Sequence, residues 1–185
     1  MAERRTIYRT INALLLITII AMLVVNRERF WAMVNPKGRD LVTQTAPELA
    51  PGPWYNSEGA TLSSLRGKVV LLDFWAFQCR NCTNVLPVIK RWDEKYREQG
   101  LVIIGIHTPQ RAEEASADLL KRFIADNKVA YPVLIDNSYA NWNRYRVQFW
   151  PTTFLIDRKG VIRGYHNGEL GFSGLEGAIM ELLHE

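Results

Sequence analysis

Cys79 and Cys82 are the two cysteines of this chain, and both lie in the octet Trp75-Ala76-Phe77-Gln78-Cys79-Arg80-Asn81-Cys82, directly after the apolar run Val69-Val70-Leu71-Leu72-Asp73-Phe74. A C-x-x-C at a strand-to-helix junction is a device for making and breaking one disulfide. Two intervening residues let the first thiol stand at the mouth of a helix while the second lies one turn in, within joining distance. The free N–H groups and the dipole at a helix N-terminus favour an anion. The Cys79 thiol is therefore expected to ionise below its free value of ~8.5, and Arg80 pushes the same way. Cys79 would attack a substrate disulfide, and the less exposed Cys82 would then displace the mixed disulfide.

Other uses of a cysteine pair fit less well. Zinc needs four ligands, and only His107, His166 and His184 are left to complete a set. None repeats a ligand spacing, so no metal is expected. A purely structural bridge across so short a loop would stabilise little, because the entropic gain grows with loop length.

The elements that must hold the pair follow from periodicity. Val69–Trp75 reads as a buried strand. A helix then runs to about Gln99 on Cys82, Leu86, Ile89, Trp92 or Asp93, and Tyr96, with Pro87 expected to kink it and Gly100 to end it. Leu101–His107 is a second apolar run of strand length, covered on both faces. Arg111–Asn127 predicts an amphipathic helix on Leu119, Leu120, Phe123 and Ile124; Tyr131–Asp136 predicts a strand, and Tyr139–Tyr145 a short helix. Thr153–Asp157 and Val161–Tyr165 form a hairpin around Arg158-Lys159-Gly160. Ser173-Gly174-Leu175-Glu176 has the pattern of a capping box opening a last helix on Leu175, Ile179, Leu182 and Leu183. Upstream, Trp54-Tyr55, the turn Asn56–Gly59 and Ala60–Leu62 read as a small N-terminal hairpin. The order implies an α/β fold, a mixed central sheet flanked by helices.

The first residues have a different character. Thr10–Asn26 is uncharged and mostly apolar, near the short end of the ~17 to 25 residues that span a bilayer. No small-x-small cleavage site follows Val25, so 1–32 is expected to be an uncleaved signal anchor or single transmembrane helix, with a cleaved signal peptide as the alternative. Arginines flank both ends, and the positive-inside rule does not settle orientation. A short basic tail before a first apolar run usually stays cytoplasmic, which would put the cysteines outside. The formal charge of +4 is concentrated here: residues 1–32 hold five Arg against two Glu, and the rest of the chain is nearly neutral. No basic stripe argues for nucleic acid. From Asn35 to Pro53 the chain is polar and proline-punctuated, and a linker over 33–45 leads to one domain over 46–185, a length that suits one core.

Three motifs in order resemble the thioredoxin-like superfamily, specifically its membrane-anchored TlpA/ResA/DipZ-type, redoxin/AhpC-TSA-related branch. They are Arg66–Ala76 followed by Cys79 and Cys82; Pro87, five residues after the second cysteine; and Trp150-Pro151-Thr152-Thr153-Phe154-Leu155-Ile156-Asp157. The resemblance covers about residues 45 to 185. It implies a thioredoxin fold, and a cis Pro151 that sets the Trp150 backbone beside Cys79 to bind an incoming peptide, although X-Pro bonds are otherwise mostly trans. It implies that Asp73 is a buried acid that takes the Cys82 proton, its pKa raised by the apolar strand around it. Trp75 and Phe77 would pack near the disulfide as an apolar rim, with a place in the core as the alternative for either, and Arg80-Asn81, where thioredoxin has Gly-Pro, would tune the redox potential. Gln78 replaces a Trp common in the family. The implied function is an extracytoplasmic, membrane-anchored thiol-disulfide oxidoreductase reducing protein disulfides, in cytochrome c maturation or related thiol homeostasis. Its implied partners are protein thiol clients and a membrane electron donor or acceptor, with no cofactor beyond the Cys79–Cys82 disulfide. A disulfide-donating oxidase and a non-enzymatic peptide-binding module are the alternatives. The related peroxiredoxins place their reactive cysteine in a Pro and Thr pattern that the octet lacks.

Overall fold

The computed structural model describes residues 37–185. The signal-anchor expectation for 1–32 lies outside the described residues. Among the described residues no helix is long and apolar enough to cross a membrane.

The central strand is β2 (Val69–Trp75), whose seven residues are all buried. It pairs in parallel with β3 (Leu101–His107), and β3 with β4 (Val133–Ile135). On its other side β2 pairs antiparallel with β5 (Thr152–Ile156), and β5 with β6 (Ile162–Asn167). A two-residue edge strand, β1 (Trp54–Tyr55), completes the mixed sheet in the order β1-β4-β3-β2-β5-β6. Burial on both faces explains why β2 and β3 are continuous apolar runs without alternation.

Side chains alternate across β2, so its two sets feed two cores. Val69, Leu71 and Trp75 join Val85, Leu86, Ile89, Trp92 and Tyr96 of helix α1 (Arg80–Tyr96), Leu120 and Ile124 of α2 (Ala117–Asp126), and Ile179 and Leu182 of the C-terminal helix. Val70, Leu72 and Phe74 meet Phe154, Ile156, Ile162, Tyr145, Leu62 and Leu41 on the opposite face. That second face is covered by residues 41–65 and the short helix α3 (Ala140–Arg144). The C-terminal helix α4 spans Leu175–His184. Trp92 anchors the first core: it is fully buried and stacks on Phe172 at 5.2 Å between centroids. Trp92→Ala is expected to cost about 3–5 kcal/mol and to lower the thermal midpoint by roughly 10 °C. Thermal unfolding followed by circular dichroism checks this, and a loss within about 2 °C would contradict the anchoring role.

Several sequence expectations are corrected. The N-terminal hairpin does not form: Trp54 and Tyr55 pair with Leu134 and Val133 at the sheet edge, and residues 60–62 pair with no strand among the described residues. The reason is local. The Glu48 carboxylate accepts the Leu62 and Ser63 N–H groups at 2.9 and 2.7 Å and draws the chain into a 3₁₀ turn over Ser63–Leu65, while β4 offers β1 an open edge. The helix expected over Arg111–Asn127 is divided into a 3₁₀ turn, Ala112–Ala115, and α2, whose N-cap Ser116 accepts the Leu119 N–H. The third strand is shorter than Tyr131–Asp136, because Asp136 instead takes the Asn141 and Trp142 N–H groups at the start of α3. Ser173 caps nothing: a 3₁₀ turn over Phe172–Gly174 leads directly into α4, with no side-chain cap. Of the linker expected over 33–45, the part from Lys37 onward is folded against the sheet. Thr43 N donates to Ile162 O at 2.7 Å and Ala46 N to Gly160 O at 2.9 Å.

Candidate active site

Strand β2 ends at Trp75 and the chain turns through Ala76–Gln78 into α1. Cys79 is the N-cap of that helix, with extended backbone, and its sulfur accepts the Cys82 N–H at 3.3 Å. The helix mouth thus points a backbone donor at the first sulfur, as an attacking thiolate would require. Cys79 and Cys82 are joined in a disulfide with Cα atoms 5.3 Å apart. Both are buried, Cys79 at 6% exposure and Cys82 at 3%. Arg80 and Asn81, in the first turn, face solvent, as does Gln78. Pro87 lies inside a helix that continues through it.

Across the sheet, Phe74 pairs with Thr152 in the antiparallel β2–β5 register. Continuing that register sets Trp150-Pro151 opposite Trp75-Ala76, at the same end of the sheet as the disulfide. The Trp150-Pro151 peptide is cis. Pro151 is buried, and Trp150 is half-buried against the same core cluster as the two cysteines. The Trp150 indole donates to Thr108 O at 2.9 Å and packs on Trp142 with ring centroids 4.1 Å apart.

Beneath the disulfide lies Asp73, on the same face of β2 as Leu71 and Trp75. It is 2% exposed, its Oδ1 has no hydrogen-bond partner among the described residues, and burial pushes its pKa up to about 7. Its register neighbours are Thr153 on β5 and Gly105 on β3. Gly105 has no side chain because there is no room for one: a Cβ would stand 2.8 Å from the Trp75 indole nitrogen and 3.0 Å from the Tyr131 ring. The Tyr131 hydroxyl is buried here as well, and burial, with the Asp73 charge second, drives its pKa well above the ordinary value.

The two expected rim residues part company. Phe77 is half-exposed and stacks on His107 at 5.4 Å and on Phe123 at 5.8 Å, so it can present an apolar face. Trp75 is 3% exposed, packed over Gly105 and against His107 and Phe123 at 5.3 and 5.5 Å. It floors the site and does not rim it, because its position on a fully buried strand turns it into the core.

Two residues of the site are not recognisable from sequence. His107 stands out there only as a spare metal candidate. It is fully buried between Trp75 and Phe77, with neither ring nitrogen hydrogen-bonded among the described residues, and burial pulls its pKa down to about 4. Glu114 resembles any acid of an amphipathic helix. It is fully buried instead, and its carboxylate accepts from Gln78 N at 2.7 Å, Gln110 N at 2.7 Å and Arg111 N at 3.0 Å. No local pattern marks either role, since the partners are backbone groups and rings brought in from other elements. No cluster of three potential metal ligands occurs among the described residues.

Comparison with known proteins agrees with this architecture. The model of the AhpC/TSA family matches residues 42–165. Over 145 residues the chain is 39% identical to the protein DipZ of Mycobacterium tuberculosis, covering 76% of this chain and 21% of DipZ, so it spans about a fifth of that relative's length. It is 24% identical over 143 residues to the thiol-disulfide oxidoreductase YkuV of Bacillus subtilis, covering 77% of this chain and 96% of YkuV. The crystal structure of a thiol-disulfide isomerase from Corynebacterium glutamicum superposes with a TM-score of 0.67 at 28% identity, over 76% of this chain and 97% of that one. The match of two thirds of the sequence to one family model, on a thioredoxin-like fold with a C-x-x-C disulfide at its helix mouth and a likeness to thiol-disulfide oxidoreductases, places the chain in the AhpC/TSA family.

Proposed function

We propose that this chain is tethered by residues 1–32 to the cytoplasmic membrane, with its folded domain on the extracytoplasmic side, and that it reduces disulfides in client proteins. The observation that carries the reading is the Cys79–Cys82 disulfide at the N-terminus of α1 with the buried Asp73 carboxyl beneath it. In the reduced protein the Cys79 thiolate attacks one sulfur of a client disulfide, forming a mixed disulfide and releasing the client's other sulfur as a thiolate. Cys82 then gives its proton to the Asp73 carboxylate and attacks the Cys79 sulfur, which expels the client's second sulfur and closes the Cys79–Cys82 bond. Two electrons pass to the client, and a membrane dithiol donor restores the reduced pair. Trp150, Pro151 and Phe77 border the entrance and would hold the client chain, with cytochrome c maturation or related thiol homeostasis as the setting.

Cys79→Ser is expected to abolish disulfide reduction of a model protein substrate. Cys82→Ala is expected to accumulate mixed disulfides through Cys79, visible on a non-reducing gel. Unchanged reduction by the first variant, or no trapped client in the second, would leave a peptide-binding module as the better account. Labelling of intact cells by a membrane-impermeant thiol reagent tests the location, and protection of Cys79 until lysis would place the domain inside.

One observation favours a second direction of electron flow. The Cys82 N–H aimed at the Cys79 sulfur, with Arg80 alongside, stabilises the thiolate, hence the reduced form, and so raises the potential. A glutathione redox titration decides: C-x-x-C proteins run from about −270 to −120 mV, and a value at the upper end would make this chain a disulfide donor.

A further inference from the structure

The loop after β3 braces both halves of the site. Thr108 N donates to Trp75 O at 3.0 Å, the Thr108 carbonyl accepts the Trp150 indole at 2.9 Å, and the Tyr139 hydroxyl bonds Pro109 O. The Thr108 hydroxyl donates to Asp136, the same carboxylate that organises the start of α3 at Trp142. At the centre of this brace is Glu114. Its carboxylate is completely removed from solvent and accepts N–H groups from two separate segments, Gln78 on the cysteine loop and Gln110 and Arg111 on the brace. Three N–H donors are what an inward-turned carboxylate needs, and they make the interaction specific to an acceptor-only group.

We propose that Glu114 is a positioning residue for Cys79: it locks the cysteine loop to the brace and fixes a negative charge one residue from the attacking sulfur, holding the Cys79–Cys82 pair to a lower reduction potential than its helix mouth alone would set. The proposal deepens the redox reading above and rests on it. The Gln78 nitrogen that Glu114 holds at 2.7 Å belongs to the residue bonded to Cys79, so the carboxylate sits on the cysteine loop beside the attacking residue. A buried negative charge so placed disfavours a thiolate on Cys79, opposing the Cys82 N–H and Arg80. Among the other charged and titratable groups nearby, Arg80 and Arg111 turn to solvent, while Asp73 lies under the disulfide and His107 behind Phe77. Glu114 therefore stands as a buried, fully hydrogen-bonded carboxylate on the loop side of the pair. Because disulfide formation consumes the dithiol, disfavouring the thiolate disfavours the reduced state and makes the pair the stronger reductant.

Two variants separate charge from shape. Glu114→Gln keeps the size and loses the charge; Glu114→Asp keeps the charge and shortens the reach. In the full-length protein, the equilibrium of the Cys79–Cys82 pair with glutathione is expected to shift about tenfold towards the dithiol in Glu114→Gln, equivalent to about 30 mV, and to stay within about threefold of wild type in Glu114→Asp. A merely structural Glu114 would lower the unfolding midpoint of both variants and leave both equilibria in place, which would overturn the proposal. Equal shifts in the two variants would overturn it as well, since geometry and not charge would then govern. If Glu114→Gln does not fold, amide NMR of the unmodified protein supplies the test. Reduction of the disulfide should move the Gln78, Gln110 and Arg111 N–H resonances together, and a change confined to Gln78 contradicts the coupling. Failure of the underlying redox reading would look different: the wild-type protein itself would show no reversible transition with glutathione.

Discussion

Asp73→Asn is expected to make the folded protein more stable and the enzyme worse. In the folded chain the carboxyl titrates at about 7, against an ordinary value of 3.8, because burial disfavours its charge. The folded state therefore holds a proton that the unfolded state has released anywhere between those two values. Stability contributed by the protonated acid is fully present below pH ~4 and is lost as the pH rises through about 7. The gap between the two values corresponds to about 4 kcal/mol, so at pH ~8 the variant, which has no charge to bury, should exceed wild type by about 3–4 kcal/mol, and at pH ~4 by almost nothing. Urea unfolding of the oxidised protein at the two pH values measures this difference. The same substitution removes the acceptor for the Cys82 proton, and resolution of the mixed disulfide should slow roughly 100-fold, within the range for a lost general base. Rapid-quench trapping of the mixed disulfide reads that step. A variant whose advantage over wild type is the same at both pH values would mean that Asp73 is not a buried neutral acid, and an unchanged resolving rate would remove it from proton transfer.

His107 should impose the opposite slope. Its ring sits between Trp75 and Phe77 without a hydrogen-bond partner among the described residues, and its pKa falls to about 4 from 6.5. Here the unfolded state holds the proton over the window, so the stability is present above pH ~6.5 and lost as the pH falls towards about 4. The loss amounts to about 3 kcal/mol. Measured against His107→Phe, which keeps an aromatic ring and cannot ionise, wild type should weaken by that amount between pH ~7 and pH ~4. The two buried groups nearly offset one another between pH ~4 and ~6.5. Wild-type stability should therefore look flat there and reveal its two components only in the single variants. A flat difference between wild type and His107→Phe would show that the imidazole is solvated in the folded protein.

These two groups mark where sequence reading succeeds and where it stops. Asp73 is legible because its surroundings are local: an acid inside Val69–Trp75 has apolar neighbours on its own strand, and the family resemblance supplies its place near Cys79. The alternating faces of β2 then set it beneath α1. His107 sits in a similar run, but its environment comes from Trp75 and Phe77 of another segment, which periodicity does not supply. Trp75 fails in the complementary way. Proximity in sequence to the cysteines suggests a rim, and the buried register of β2 turns the ring inward against Gly105. The missing hairpin and the divided helix have a common cause. Glu114, turned inward, and Glu48, at the surface, are ordinary polar residues in sequence that accept backbone donors from other segments, and those hydrogen bonds override local propensity.

By itself the sequence determined the reactive pair, the strand that delivers it, the helix that opens on it and the order of the layers. Each of these depends on neighbours within a few turns, where spacing and hydrophobic period act directly on the backbone. Only the tertiary structure decided what surrounds the pair: the register that faces Trp150-Pro151 towards Trp75-Ala76, the floor made by Trp75, the neutral His107 and the carboxylate of Glu114 holding the loop. Those features are set by burial and by hydrogen bonds between residues far apart in the chain, as in the pairing of Phe74 with Thr152. Desolvation and fixed charge do not exist until the chain has closed around them.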